Sequence, residues 1–67
     1  MKFIDIDFSQ LLAILEENDY CFEGADDYRL LSFDEEAGVA TFKLICYHYE
    51  QVFKLRRMGD VFVVTGC

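Results

Sequence analysis

The residues of this chain whose side chains could form a nucleophilic pair or a cysteine–histidine zinc site are three cysteines and one histidine. Cys21, Cys46 and Cys67 include no CxxC pair, and an odd number cannot form a closed disulfide framework. His48 follows Cys46 by two residues, but no glycine-rich turn nearby would expose the thiol of a nucleophilic pair. We expect Cys21 and Cys46 to be small buried side chains, Cys67 to be exposed and His48 to be partly buried. The pattern predicts no catalytic residue, no metal site and no cofactor.

The segment from Asp5 to Glu16 has the acids and hydroxyls of a calcium-binding loop at several positions. The sixth position of such a loop requires glycine, and here it is Gln10. The same segment carries an apolar stripe at i, i+3, i+4 and i+7, formed by Phe8, Leu11, Leu12 and Leu15. We therefore expect a helix over residues 8–18, opened by a capping box between Asp7 and Gln10 and ended by a left-handed Asn18.

The rest of the chain predicts antiparallel strands, at residues 28–33, 39–49, 51–57 and 61–65. Polar turns containing glycine, at residues 34–38 and 58–60, would join neighbouring strands as hairpins. An alternative makes residues 47–58 a helix, but the turn and the valine-rich segment after it favour a strand. The expected fold is α+β, with one N-terminal helix packed on a three- to four-stranded antiparallel meander, in a single domain spanning residues 1–67.

The helix can cover only one face of such a sheet. In the strand predicted at residues 39–49, Phe42, Leu44 and Cys46 share the covered face, because side chains alternate. Tyr47 and Tyr49 lie on the other face, which is then exposed or paired with a second molecule. The expected core comprises Phe8, Leu11, Leu12, Leu15, Leu30, Phe42, Leu44, Phe53, Leu55 and Val63.

The net charge is −7, and the acids are concentrated in one part of the sequence. Residues 1–38 carry a charge of −9, whereas residues 39–67 carry +2. Nucleic-acid-binding proteins present rows of Lys and Arg, so this balance disfavours direct nucleic-acid binding. No apolar run approaches the ~18 residues of a membrane span, and the first residues lack the features of a secretory signal. We expect a cytoplasmic protein that does not bind membranes.

Part of this acidic arrangement opposes local stability. Glu16, Glu17 and Asp19 lie at the helix C-terminus, where the macrodipole is already negative. Residues that break a local rule without compensation are candidates for function, and an acidic surface fits a basic partner. The alternative is that these acids serve only solubility, which acids raise more than bases do. The predicted partner-binding residues are Glu16, Glu17, Asp19, Glu23, Asp26, Asp27, Asp34, Glu35 and Glu36.

With its short length, compact α+β pattern, lack of motifs and the runs Glu16-Glu17-Asn18-Asp19 and Asp34-Glu35-Glu36, the chain resembles small acidic phage proteins that inhibit CRISPR–Cas systems. The resemblance is to the kind that mimics DNA. It implies a non-enzymatic inhibitor in the cytoplasm of a bacterial host cell. Its implied partner is a basic, nucleic-acid-binding subunit of a Cas surveillance complex, most often at the DNA-entry or protospacer-adjacent-motif site, with type I complexes slightly favoured.

Two other functions fit the same sequence. An antitoxin or a nuclease immunity protein would also set acids against a basic active site. A homo-oligomerising interaction module would instead use Tyr47 and Tyr49, because tyrosine combines apolar area with a polar tip at interfaces. The sequence leaves both a monomer and a homodimer open.

Overall fold

One helix lies over an open four-stranded antiparallel sheet in the computed structural model, which describes residues 2–66. A short 3₁₀ helix, Phe3–Asp5, precedes α1, which spans Phe8–Glu17. The predicted capping box starts α1: the Gln10 amide N–H donates to the Asp7 carboxylate at 2.8 Å, and the Asp7 N–H donates to the Gln10 side chain at 3.0 Å. These two bonds satisfy backbone donors that the first helical turn leaves without partners.

The four strands are β1 (Ala25–Asp34), β2 (Val39–Cys46), β3 (Glu50–Met58) and β4 (Val61–Gly66). They follow one another in the order β1-β2-β3-β4, which confirms the predicted α+β meander. The alternative helix over residues 47–58 is wrong, because β3 pairs with both β2 and β4. Gly38 and Gly59 have φ values of 71° and 65° in the turns that join the hairpins, a conformation that glycine adopts without a Cβ penalty.

The core lies between α1 and one face of the sheet, the inner face. Its buried residues are Phe3, Ile6, Leu11, Leu15, Ala40, Phe42, Leu44, Cys46, Phe53 and Leu55. Six of the predicted core residues are among them, and Phe8, Leu12 and Leu30 pack against them while partly buried. Val63 is wrong as a core residue: it pairs with Arg56 on the opposite face, so Phe62 and Val64 pack on the core instead.

Several local predictions are corrected by the structure. β2 ends at Cys46, so residues 47–49 form a turn and His48 is exposed in it. The left-handed residue after α1 is Asp19, with a φ of 64°, and not Asn18. Cys21 is exposed, whereas Cys46 is buried as predicted. The prediction for Cys67 lies outside the described residues. Within residues 2–66 no helix has the length and apolarity that a membrane span requires.

Candidate partner-binding surface

The acids Asp34, Glu35 and Glu36, here called the turn acids, occupy the β1–β2 turn. The Asp34 carboxylate accepts hydrogen bonds from the backbone N–H groups of Glu36 and Ala37, at 3.0 and 3.1 Å. The Gly38 N–H closes the turn by donating to the Asp34 carbonyl at 2.9 Å. Short acidic side chains stabilise turns in this way, so Asp34 has a structural role that its position alone explains.

Glu35 joins three separate parts of the chain. Its carboxylate accepts a 2.8 Å bond from the Arg57 guanidinium on β3 and a 2.8 Å bond from the Phe3 backbone N–H. The same guanidinium donates to the Glu35 carbonyl at 2.6 Å and lies 5.4 Å from the centre of the Phe3 ring. The Arg57 bond lowers the pKa of Glu35 below its usual value; partial burial opposes this effect and the Phe3 N–H adds to it. Glu35 therefore anchors the N-terminal segment to the sheet.

A second group, here called the acidic strip, has no such partners. All five of its carboxylate residues are exposed, and within residues 2–66 none forms an ion pair or a side-chain hydrogen bond. Its members are Glu16, Glu17, Asp19, Glu23 and Asp26. These five belong to the residues predicted to bind a partner, and the structure leaves their charges without a counter-charge in the described part of the chain.

The acidic strip follows the chain from one edge of the sheet to the other. The Asn18 side chain fixes the end of α1 on edge strand β4, donating to the Phe62 carbonyl at 3.1 Å and accepting from the Val64 N–H at 3.3 Å. The chain then crosses to β1, the opposite edge strand. Three inter-strand spacings separate these edges, which is about 14 Å. The acids of the strip therefore extend between the two edges of the sheet.

The far end of the acidic strip is held close to the β2–β3 turn. Gly24 has a φ of 72°, and a Cβ built there would lie 3.0 Å from the Cβ of Tyr47. Between Asp19 and this point, the chain runs beside α1, so that Glu16 lines one depression with Tyr20. The strip is thus held at two points, by Asn18 on the edge strand β4 and by Gly24 against the β2–β3 turn.

Asp27 differs from its neighbour Asp26. Its carboxylate accepts from the Tyr28 N–H at 2.8 Å and from the Arg29 guanidinium at 2.7 Å. The Tyr28 bond and then the Arg29 bond lower the pKa of Asp27. The two charged side chains are more than half exposed, so the ion pair contributes little to stability. Asp27 is locally paired and lies outside the acidic strip.

The tyrosines predicted as a secondary interface stand in the β2–β3 turn and not on a sheet face. Tyr47 is 76% exposed, with its ring edge-on to His48 at a centroid distance of 4.3 Å. Tyr49 is 44% exposed, and its carbonyl accepts from the Cys46 N–H at 2.8 Å. Partial desolvation, followed by a hydrogen bond with Cys46, raises the pKa of Tyr49. The prediction that they lie on the uncovered face of a strand over residues 39–49 is wrong, because β2 ends at Cys46.

The face of the sheet turned away from α1, here called the outer face, carries cations that the sequence prediction missed. Alternation from the buried residues of β2 and β3 places four of the chain's six basic residues there: Arg29, Lys43, Lys54 and Arg56. Arg29 and Lys43 lie directly opposite each other and form ion pairs with Asp27 and Glu50. The period-two spacing of Lys54 and Arg56 was the signal in the sequence that could have revealed this face.

Within residues 2–66 no group of three or more His, Cys, Asp or Glu side chains is arranged to hold a metal ion. Comparisons of the chain with protein-family models, with curated proteins and with solved structures found no match. The functional argument therefore depends on the charges and contacts of the described residues.

Proposed function

We propose that this protein is a non-enzymatic inhibitor that occupies a basic nucleic-acid-binding surface through the acidic strip. The partner we favour is a Cas complex, with a type I complex slightly preferred, which makes the protein an anti-CRISPR protein that blocks access of DNA. The observation that carries the proposal is the acidic strip itself, whose five exposed carboxylates have no partner within residues 2–66.

The spacing of these carboxylates supports mimicry of a nucleic-acid strand. One strand of B-DNA carries a phosphate charge per ~3.4 Å of helix axis. The crossing segment from Asn18 to Gly24 spans at most about 20 Å in extended conformation, a length over which one strand carries about six phosphates. Asp19 and Glu23 lie within this segment, and Glu16, Glu17 and Asp26 flank it, so the five carboxylates form a continuous run of negative charge along and beside the crossing segment.

The local energetics of the acidic strip also support a role in binding. Glu16 and Glu17 stand at the negative end of the helix dipole, and Asp19 has a left-handed backbone that glycine adopts more easily. Each feature opposes stability, and neither is offset by an ion pair within the described residues. Attraction to a basic partner would account for keeping these acids.

The test compares two triple variants with the same change of charge and the same residue types. The test variant carries Glu16→Gln, Asp19→Asn and Asp26→Asn in the acidic strip. The control carries Asp5→Asn, Glu36→Gln and Asp60→Asn, three exposed acids elsewhere. Each is expressed in bacteria whose type I CRISPR system targets a phage, and phage plating is counted. Purified chains are also tested for blocking duplex DNA binding by the purified Cas complex.

The native chain and the control should restore phage plating and compete with DNA, and the strip variant should lose both activities. Competition should weaken as salt rises from about 0.1 to 0.5 M, because the Debye length falls well below ~10 Å. Equal activity of the two variants would exclude the acidic strip as the binding site. If the native chain protects cells from a nuclease toxin and never from CRISPR targeting, the antitoxin or immunity function replaces this proposal.

A further inference from the structure

The outer face carries two basic residues that have no counter-charge within the described part of the chain. Lys54 and Arg56 are exposed on β3, and neither forms an ion pair between residues 2 and 66. Lys54 pairs across the sheet with Thr41 and Gly66, whereas Arg56 pairs with Val39 and Val63. This leaves two free cations beside each other on a chain whose net charge is −7.

Apolar side chains surround these cations. Val39 is 38% exposed and Val52 is 44% exposed, and both lie on the outer face. Val39 on β2 pairs with Arg56, and Val52 on β3 pairs with Lys43. A groove of about 390 Å³ runs along this face, and Val39, Thr41, Lys54 and Thr65 line part of it. Gly66, opposite Lys54, has open space where a side chain would stand, so the Lys54 ammonium can be approached from solvent. The outer face thus combines positive charge with apolar contact area.

This combination favours a protein partner over a nucleic acid. Base stacking on a sheet uses several aromatic side chains, whereas Phe33 is the one aromatic residue among those that line the groove, and the outer-face positions of β2 and β3 carry none. Binding of phosphates alone requires many cations, and only two cations of this face, Lys54 and Arg56, lack an ion pair within residues 2–66. The exposed valines are best covered by an apolar surface. The two cations are best paired with carboxylates close to that surface.

The spacing of the two cations specifies the partner further. Lys54 and Arg56 are two residues apart on one strand, so their Cα atoms are separated by about 6.7 Å. Residues at i and i+4 of an α-helix rise about 6 Å along the axis on one side. We propose that the outer face binds an acidic amphipathic helix of a partner protein. Its carboxylates at i and i+4 pair with Lys54 and Arg56, while its apolar side chains cover Val39, Val52 and Val63.

This surface goes beyond the proposed inhibitory function, because it has the opposite charge and lies on the opposite side of the sheet from α1. The acidic strip meets a basic surface, and the outer face meets an acidic one. Failure of one proposal leaves the other untouched, since the two use different residues and different probes.

The test uses the whole chain and a synthetic 18-residue amphipathic peptide as the probe. In this peptide, glutamates occupy positions i and i+4 of successive turns, and leucines lie between them on the same side of the helix. A second, control peptide has glutamine in place of every glutamate. Binding is measured by fluorescence anisotropy, and amide NMR shifts locate the site. The variant Lys54→Gln with Arg56→Gln removes both cations. Lys54→Arg with Arg56→Lys is the control, because it keeps both charges.

The glutamate peptide should shift the amides of β3 and its outer-face neighbours, and the double glutamine variant should weaken its binding about tenfold. The control variant should bind within twofold of the native chain. Circular dichroism should show all variants folded, because both side chains are exposed. Equal binding of the two peptides, or shifts confined to α1 and the acidic strip, would overturn the proposal. Tighter binding of a 20-nucleotide oligo-dT than of the glutamate peptide would also overturn it. So would a dimer that depends on Lys54 and Arg56, because a second copy of the chain would then be the occupant.

Discussion

The turn acids and the acidic strip have similar sequences but opposite relations to the fold. In the turn, Asp34 bonds backbone N–H groups and Glu35 bonds Arg57 and Phe3. In the strip, five carboxylates have no side-chain partner within residues 2–66. A run of acids therefore does not reveal its own role; the positions of the nearby cations and N–H donors decide it. This difference makes the strip, and not the turn, the better candidate for binding a partner.

The largest effect should come from replacing Phe3, whose backbone N–H donates to the Glu35 carboxylate. Phe3 is 1% exposed, packs against Phe62 at a ring-centroid distance of 5.6 Å and lies under the Arg57 guanidinium. We expect Phe3→Ala to lower the free energy of unfolding by about 3–5 kcal/mol, because it leaves a cavity in the core. That is a large part of the stability of a domain this small. Urea unfolding followed by circular dichroism measures it.

Phe3→Leu serves as the control and should cost much less, since it keeps most of the buried volume. A loss below about 1 kcal/mol for Phe3→Ala would mean that the N-terminal segment is not anchored as described.

The second effect is the pH dependence that Glu35 introduces. Its pKa is lowered in the folded protein, first by the hydrogen bond from Arg57 and also by the Phe3 N–H. A carboxyl with a lowered folded pKa stabilises the protein above its unfolded pKa, and this stabilisation is lost as the pH falls through the folded pKa. Glu35→Gln should therefore be less stable than the native chain at pH 7, and the gap should narrow as the pH falls below about 4.

Thermal unfolding at a series of pH values between 2 and 7 measures this gap. Asp27→Asn is the matched control, because the pKa of Asp27 is also lowered but its ion pair with Arg29 is largely exposed. A gap for Glu35→Gln no larger than that for Asp27→Asn would contradict the anchoring role of Glu35.

The predictions that succeeded rested on neighbouring residues. The capping box joins Asp7 and Gln10, which are three positions apart, and the apolar stripe of α1 repeats at the period of a helix. The role of Glu35 could not be predicted, because Arg57 lies 22 residues away and meets it only once β3 has paired with β2. The position of the C-terminal end of α1 likewise depends on Asn18 bonding β4, 44 residues further on.

Errors at the ends of elements have a local physical cause. Asn18 was expected to be the left-handed residue, but its amide bonds the Ile14 carbonyl at 2.8 Å as well as β4. These bonds hold Asn18 close to helical geometry, with φ −97° and ψ 15°, and the positive φ passes to Asp19. Tyr47 leaves the strand because the Cys46 N–H bonds the Tyr49 carbonyl, which starts the turn.

A smaller effect, of opposite sign, should follow from Asp19. Its φ of 64° costs an ordinary residue about 1 kcal/mol relative to glycine. Asp19→Gly should therefore raise the free energy of unfolding by up to about 1 kcal/mol, reduced by the greater freedom of glycine in the unfolded chain. Asp19→Asn removes the charge and keeps a residue that tolerates this conformation, so it separates charge from strain. Lower stability of Asp19→Gly in denaturant unfolding would show that Asp19 makes a stabilising contact.

The smallest effect per residue tests whether the acidic strip works against the fold. Glu16 and Glu17 lie in the last turn of α1, which contains no basic residue, so both face the negative end of the helix dipole. Replacing both by glutamine should stabilise the protein by about 0.3–1 kcal/mol for each residue at low ionic strength. The gain should shrink in 1 M salt, where the Debye length is about 3 Å.

Glu36→Gln, which removes a carboxylate outside α1, is the control and should leave the free energy of unfolding within about 0.5 kcal/mol of the native value. A double variant that is more stable yet no longer binds its partner would show that binding, and not folding, accounts for these acids. A double variant that is less stable would place Glu16 and Glu17 with the turn acids, as residues that support the fold.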